Sequence, residues 1–84
     1  MSTMAYGDVV HDCSVVYREP QGLSSVVRQR KSVTVEHVGR NRILIHLPRA
    51  GRAVWKSLTA KRIEVVTSDG RDLVAEWREV PGRD

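Results

Sequence analysis

Ten basic side chains lie between residues 28 and 62: Arg28, Arg30, Lys31, Arg40, Arg42, Arg49, Arg52, Lys56, Lys61 and Arg62. One acid, Glu36, stands among them, so the block carries a net charge of +9. Its flanks are acidic, at −2 over residues 1–27 and −3 over residues 63–84. Clustered Lys and Arg suit phosphates, because each neutralised phosphate releases condensed counterions. Seven of the ten are Arg, whose planar fork meets phosphate and guanine edges with paired hydrogen bonds. A charge run is ordinarily a solvated face. Here acids are kept out of the block and gathered beyond it, which favours an anionic partner.

Catalytic chemistry is poorly supported. His11-Asp12-Cys13 contains the residue types of a Cys–His–Asp set, but neighbours on a strand point to opposite faces. A buried structural cysteine is the expectation there. His37 and His46 have opposite parity within one hairpin and do not jointly ligate a metal. Ser24-Ser25 has no adjacent base, no Gly-rich phosphate loop precedes a helix, and Glu76 and Glu79 read as solvated charges. The chain is therefore expected not to be an enzyme, with no cofactor and no metal. The single Cys13 excludes an internal disulfide and a Cys-based zinc site, and fits a cytoplasmic location. Only Tyr6, Tyr17, Trp55 and Trp77 are aromatic, whereas sequence-tolerant single-strand binders use several exposed rings. Trp77 is expected in the core. Trp55 is left open as a core anchor, an interface residue or a stacking platform.

These side chains sit in a Val-rich frame. Of the 84 residues, 14 are Val, 3 Ile and 4 Thr, against 5 Leu and no Phe. Such residues pack well on pleated surfaces and lose rotamer freedom in helices. The expectation is one mostly β domain over residues 1–84, with 1–7 and 81–84 frayed. Odd positions Val9, His11, Cys13, Val15 and Tyr17 mark the buried face of a first strand. Pro20-Gln21-Gly22 reads as a type I turn. An unbroken strand from Leu23 to Val38 would span about 53 Å, so a bulge or bend is expected near residues 29–32. Arg28 and Arg30 then point outward.

A three-residue Gly39-Arg40-Asn41 loop, with Asn41 left-handed, puts Val33, Val35, Ile43, Ile45 and Leu47 on one face. Arg42 falls on the other, with Thr34, Glu36 and His46. Residues 48–58 read as a short helix, since Ala50, Ala53, Val54 and Leu58 have helical spacing, although Gly51 weakens it. Arg52 and Lys56 would share a face of that helix. A final hairpin turns at Ser68-Asp69-Gly70, gathers Ile63, Val65, Leu73, Ala75 and Trp77, and opposes Arg62 to Glu76. The order β-β-β-α-β-β is that of a small five-stranded, OB-like barrel. No apolar run reaches the roughly 18 residues of a membrane span, and no secretory signal is evident, so no membrane association is expected.

The stretch from Val33 to Trp77 resembles the AbrB/MazE-type swapped-hairpin DNA-binding proteins. Val33-Thr34-Val35, Gly39-Arg40, Ile43 to Pro48, Arg52 to Leu58, Ile63 to Val66, Asp69-Gly70 and Leu73 to Trp77 occupy the places of that pattern. Three extra residues separate the proline from the helix leucine, and Ala60-Lys61-Arg62 stands where a Gly-Asp is usual. The resemblance implies an intertwined dimer with DNA contacts from Arg40 and neighbouring basic side chains.

The expected function is non-catalytic DNA or RNA binding, as a regulator and a homodimer. The contacts would come from Arg28, Arg30, Lys31, Arg40, Arg42, Arg49, Arg52, Lys56 and Trp55. The alternative is a small phage-type module that inhibits a nucleic-acid-processing complex by binding an acidic protein surface.

Overall fold

A computed structural model of the chain describes residues 8–78; the frayed ends expected at 1–7 and 81–84 lie outside them. Strands β1 (Val9–Gln21), β2 (Ser24–Gly39), β3 (Arg42–Leu47), β4 (Arg52–Ser57) and β5 (Ile63–Val66) precede one helix, α1 (Leu73–Arg78). All neighbouring strands are antiparallel, and the single sheet has the order β4-β3-β2-β1-β5. It is an open sheet with edges at β4 and β5, not the closed barrel expected from the element order.

The strongest sequence pattern is the β2–β3 hairpin. Val35 pairs with Ile45 and His37 with Ile43, the register expected of the hairpin, but a shift between His37 and Gly39 pairs Gly39 with Arg42 and leaves a two-residue Arg40-Asn41 loop, with Asn41 left-handed at φ 56°. Val33, Val35, Ile43, Ile45 and Leu47 are all buried. Cys13, Val15 and Tyr17 from β1, Ile63 and Val65 from β5, and Leu58 complete that face. Burial raises the Cys13 thiol pKa above its ordinary value, with nearby Asp12 adding to the effect. Cys13 is thus the inert core residue expected.

Bulges set what each strand presents. The one expected near residues 29–32 is centred on Ser32, at φ 58° with a register shift beside it. An extra residue there exchanges the faces of everything before it. Arg28 lies opposite Tyr17 and Arg30 opposite Val15, so both share the core-side face instead of pointing outward. A second irregularity, at Asp12 with φ 59°, likewise breaks the alternation of β1. Val10 packs against the core, whereas Val9 and His11 are exposed. The first turn also comes later than expected. Gln21 pairs with Ser24 around Gly22-Leu23, and Gly22, at φ 63°, takes the left-handed place that a tight hairpin turn gives glycine.

The expected helix over residues 48–58 is instead a tight turn and strand β4. Ala50 and Gly51 donate to the Leu47 carbonyl at 3.0 and 2.9 Å, and Gly51 has φ 67°. Arg52 then pairs with Leu47, Val54 with Ile45 and Lys56 with Ile43. Period two overrides the helical spacing because an adjacent strand offers a ladder.

The expected last strand is α1. Asp72 caps it, its Oδ1 accepting from Ala75 N at 3.2 Å, as an N-cap aspartate does. Leu73, Val74 and Trp77 turn inward and Ala75 is exposed. Glu76 pairs with Arg71 at 2.6 Å, and the expected opposition of Arg62 to Glu76 is replaced. Trp77 is buried as expected, stacked on His37 with ring centroids 4.7 Å apart. Where the family resemblance places a helix, at Arg52 to Leu58, and a strand, at Leu73 to Trp77, the chain has a strand and a helix.

Candidate functional site

Seven of the ten basic side chains of the central block fall into three groups. The first contains Arg30, Lys31 and Arg49. The Ser32 bulge brings Arg30 and Lys31 to one wall of a groove of about 630 Å³, and the β3–β4 turn brings Arg49 to the other. Val33, Leu47, Pro48 and Ala50 supply its apolar surface, and no carboxylate lines it. None of the three cations makes an ion pair among the described residues.

The second group is already engaged by partners within the fold. Strand β4 turns Arg52, Val54 and Lys56 toward the core side of the sheet. From there the Arg52 guanidinium lies 3.5 Å from Glu19, which also accepts from Arg28 Nε at 2.9 Å. Lys56 Nζ donates to the Arg18 carbonyl at 2.7 Å and lies over the Tyr17 ring at 5.2 Å. The sheet therefore curls until β4 meets β1 through side chains, without a hydrogen-bonded ladder closing it. Arg52 and Lys56 bridge this open seam, while Arg28, on β2 beside β1, holds Glu19 within the β1–β2 ladder. Lys56 and Arg52 share a face as expected, although it is the face of a strand.

Glu19, absent from the sequence-derived site, anchors the seam. The Arg28 hydrogen bond and charge, followed by those of Arg52, hold its carboxyl below the usual range. A depressed folded pKa contributes stability that is complete above the unfolded value, about 4.3, and is lost as pH falls through the folded one. Thermal melts between about pH 2 and 5 should show Glu19→Gln losing less stability on acidification than the native chain. Some dependence remains, because Arg71 lowers Glu76 and the Thr67 hydroxyl lowers Asp69. Equal slopes in the two proteins would contradict the Glu19 bridge.

The third group lies on the opposite sheet face. Arg42 is placed over the Trp55 ring at 5.2 Å, and Trp55 is 56% exposed. Trp55 pairs with Leu44 and Leu44 with Glu36, while His46 pairs with Thr34 and Ala53. Glu36 is held by His46 at 3.3 Å, and His11 is hydrogen-bonded to Thr34 at 3.0 Å. Arg40 sits in the β2–β3 loop, at the far end of β3 from Arg49. The nine residues expected to bind a partner thus divide among the groove, the core-side face around Glu19, the outer sheet face and, for Arg40, the β2–β3 loop. The groove residues Ser32 and Pro48 carry no charge and escaped the charge-based reading; the expected bulge was the available signal for Ser32.

Among the described residues no group of three His, Cys, Asp or Glu side chains is arranged to hold a metal ion. No helix among them is long and apolar enough to cross a membrane. Comparison of the chain with protein-family models, curated proteins and solved structures finds no match.

Proposed function

We propose that this protein binds nucleic acid without catalysis, as a cytoplasmic regulator, holding phosphates first in the groove of Arg30, Lys31 and Arg49. The observation that carries this reading is the convergence of three cations from two separate chain segments on one concavity with no carboxylate in its lining. Cations with no acid beside them offer their full charge to a phosphate, whereas Arg28 and Arg52 already share Glu19.

The test is a salt titration of binding to single-stranded DNA, duplex DNA and RNA. With three phosphates neutralised, log affinity should fall with log salt at a slope of about −2 on single strands and −2.7 on duplex. No binding of any of the three at low salt sinks the proposal.

A second reading, a protein-binding module that modulates a nucleic-acid-processing complex, draws on the β1–β2 hairpin. Its turn exposes Leu23 completely, and Val27 is 46% exposed, leaving apolar side chains for a protein surface to cover. Recovery of one stable protein partner, together with silence in the titration, favours that reading.

A further inference from the structure

An indole 56% exposed on the edge strand of an open sheet leaves a large apolar ring in water that a ligand can cover. Arg42 packs over it at 5.2 Å, which places a ring and a guanidinium together. Bases freed from pairing stack on both kinds of group. The ring is also connected to the phosphate groove. A second depression, of about 370 Å³, shares Leu47 and Pro48 with that groove and includes His46, Arg52 and Ala53. Ala53 lies two residues before Trp55 on the same face of β4, and His46 and Leu44 are the corresponding partners on β3. A continuous surface therefore leads from the cationic groove, round Pro48, to Trp55. Its acid on the sheet face, Glu36, is engaged by His46.

Resting on the phosphate-binding reading, we propose that the ligand is a single strand of nucleic acid. Its phosphates lie in the Arg30, Lys31 and Arg49 groove, and it rounds Pro48 to stack a base on Trp55 beside Arg42. The path along β3 is only about 20 Å long and turns from the end of the sheet onto its outer face. A flexible strand follows such a bend, whereas a duplex with a persistence length of about 150 base pairs resists it. Stacking on Trp55 also requires an unpaired base. Charge draws the strand in, and the indole selects against the duplex.

The experiment compares an oligothymidylate of about 12 nucleotides, within the site size of small single-strand binders, with a duplex of equal length. The native chain should prefer the single strand. Its fluorescence should be quenched through exposed Trp55, with buried Trp77 as a constant background. Trp55→Ala should weaken single-strand binding by roughly 5- to 150-fold, the range for loss of one stacked base. Trp55→Phe should retain most of the affinity and lose the quenching. Circular dichroism should show both variants folded, as expected for an exposed position.

Equal affinity for strand and duplex, with no effect of Trp55→Ala, overturns this inference while leaving the phosphate reading intact. Absence of binding to either probe at low salt overturns both.

Discussion

Trp77→Ala is expected to abolish cooperative folding at room temperature. The indole is 1% exposed and stacks on buried His37 at an interplanar angle of 13°. It is carried by a six-residue helix, too short to persist without packing. Truncating a buried Trp to Ala costs about 3–5 kcal/mol through lost transfer energy and the cavity left behind. A domain of this size typically has roughly 3–5 kcal/mol of net stability in total, so the loss is comparable to the whole. Urea titration followed by far-ultraviolet circular dichroism should show a clear transition for the native chain and none for Trp77→Ala. Trp77→Phe, which keeps an aromatic ring over His37, should retain a transition at lower urea. A native midpoint in Trp77→Ala would mean that α1 does not close the core.

The second large effect concerns binding. The triple variant Arg30→Ala, Lys31→Ala, Arg49→Ala should bind a single-stranded oligonucleotide about 100-fold more weakly at 0.1 M salt, with a salt slope shallower by about 2. Its fold should survive, because all three side chains are exposed and form no ion pair among the described residues. The informative control is Arg28→Ala, away from the groove and the Pro48 path. That cation is held by the Glu19 carboxylate, so its removal should change the slope much less. Equal losses from the two variants would indicate a diffuse positive surface without a preferred groove.

How far the sequence reveals this arrangement depends on the kind of signal at each place. Along residues 33–47 the alternation of Val33, Val35, Ile43, Ile45 and Leu47 selects one register, and the structure has it. The need for a break near residues 29–32 follows from strand length alone, and Ser32 provides it. The consequence of that break for Arg28 and Arg30 is harder to read. Whether the side chains before a bulge point in or out depends on which residue is extra, and a shift of one position reverses the answer.

Two segments carry conflicting periodicities. Ala50, Ala53, Val54 and Leu58 suit a helix, while Arg52, Val54 and Lys56 suit a strand face. Leu73, Ala75 and Trp77 suit a strand, while Leu73, Val74 and Trp77 suit a helix. Local spacing is degenerate in both cases. A free ladder beside β3 decides the first, and the Asp72 cap with the open end of the core decides the second.

The chain by itself determined that this is a mostly β domain with a charge-segregated middle, because side-chain branching and charge are properties of composition and order. It also determined which apolar residues of β2 and β3 share the core, since a period of two has only two solutions and one of them buries charge. Tertiary structure alone decided which cations are spent on Glu19, which converge with Arg49, and that Trp55 stays in water. Those outcomes depend on how far the sheet curls and where its bulges fall. Both are set by contacts between residues distant in sequence, such as Arg52 with Glu19 and Lys56 with Arg18.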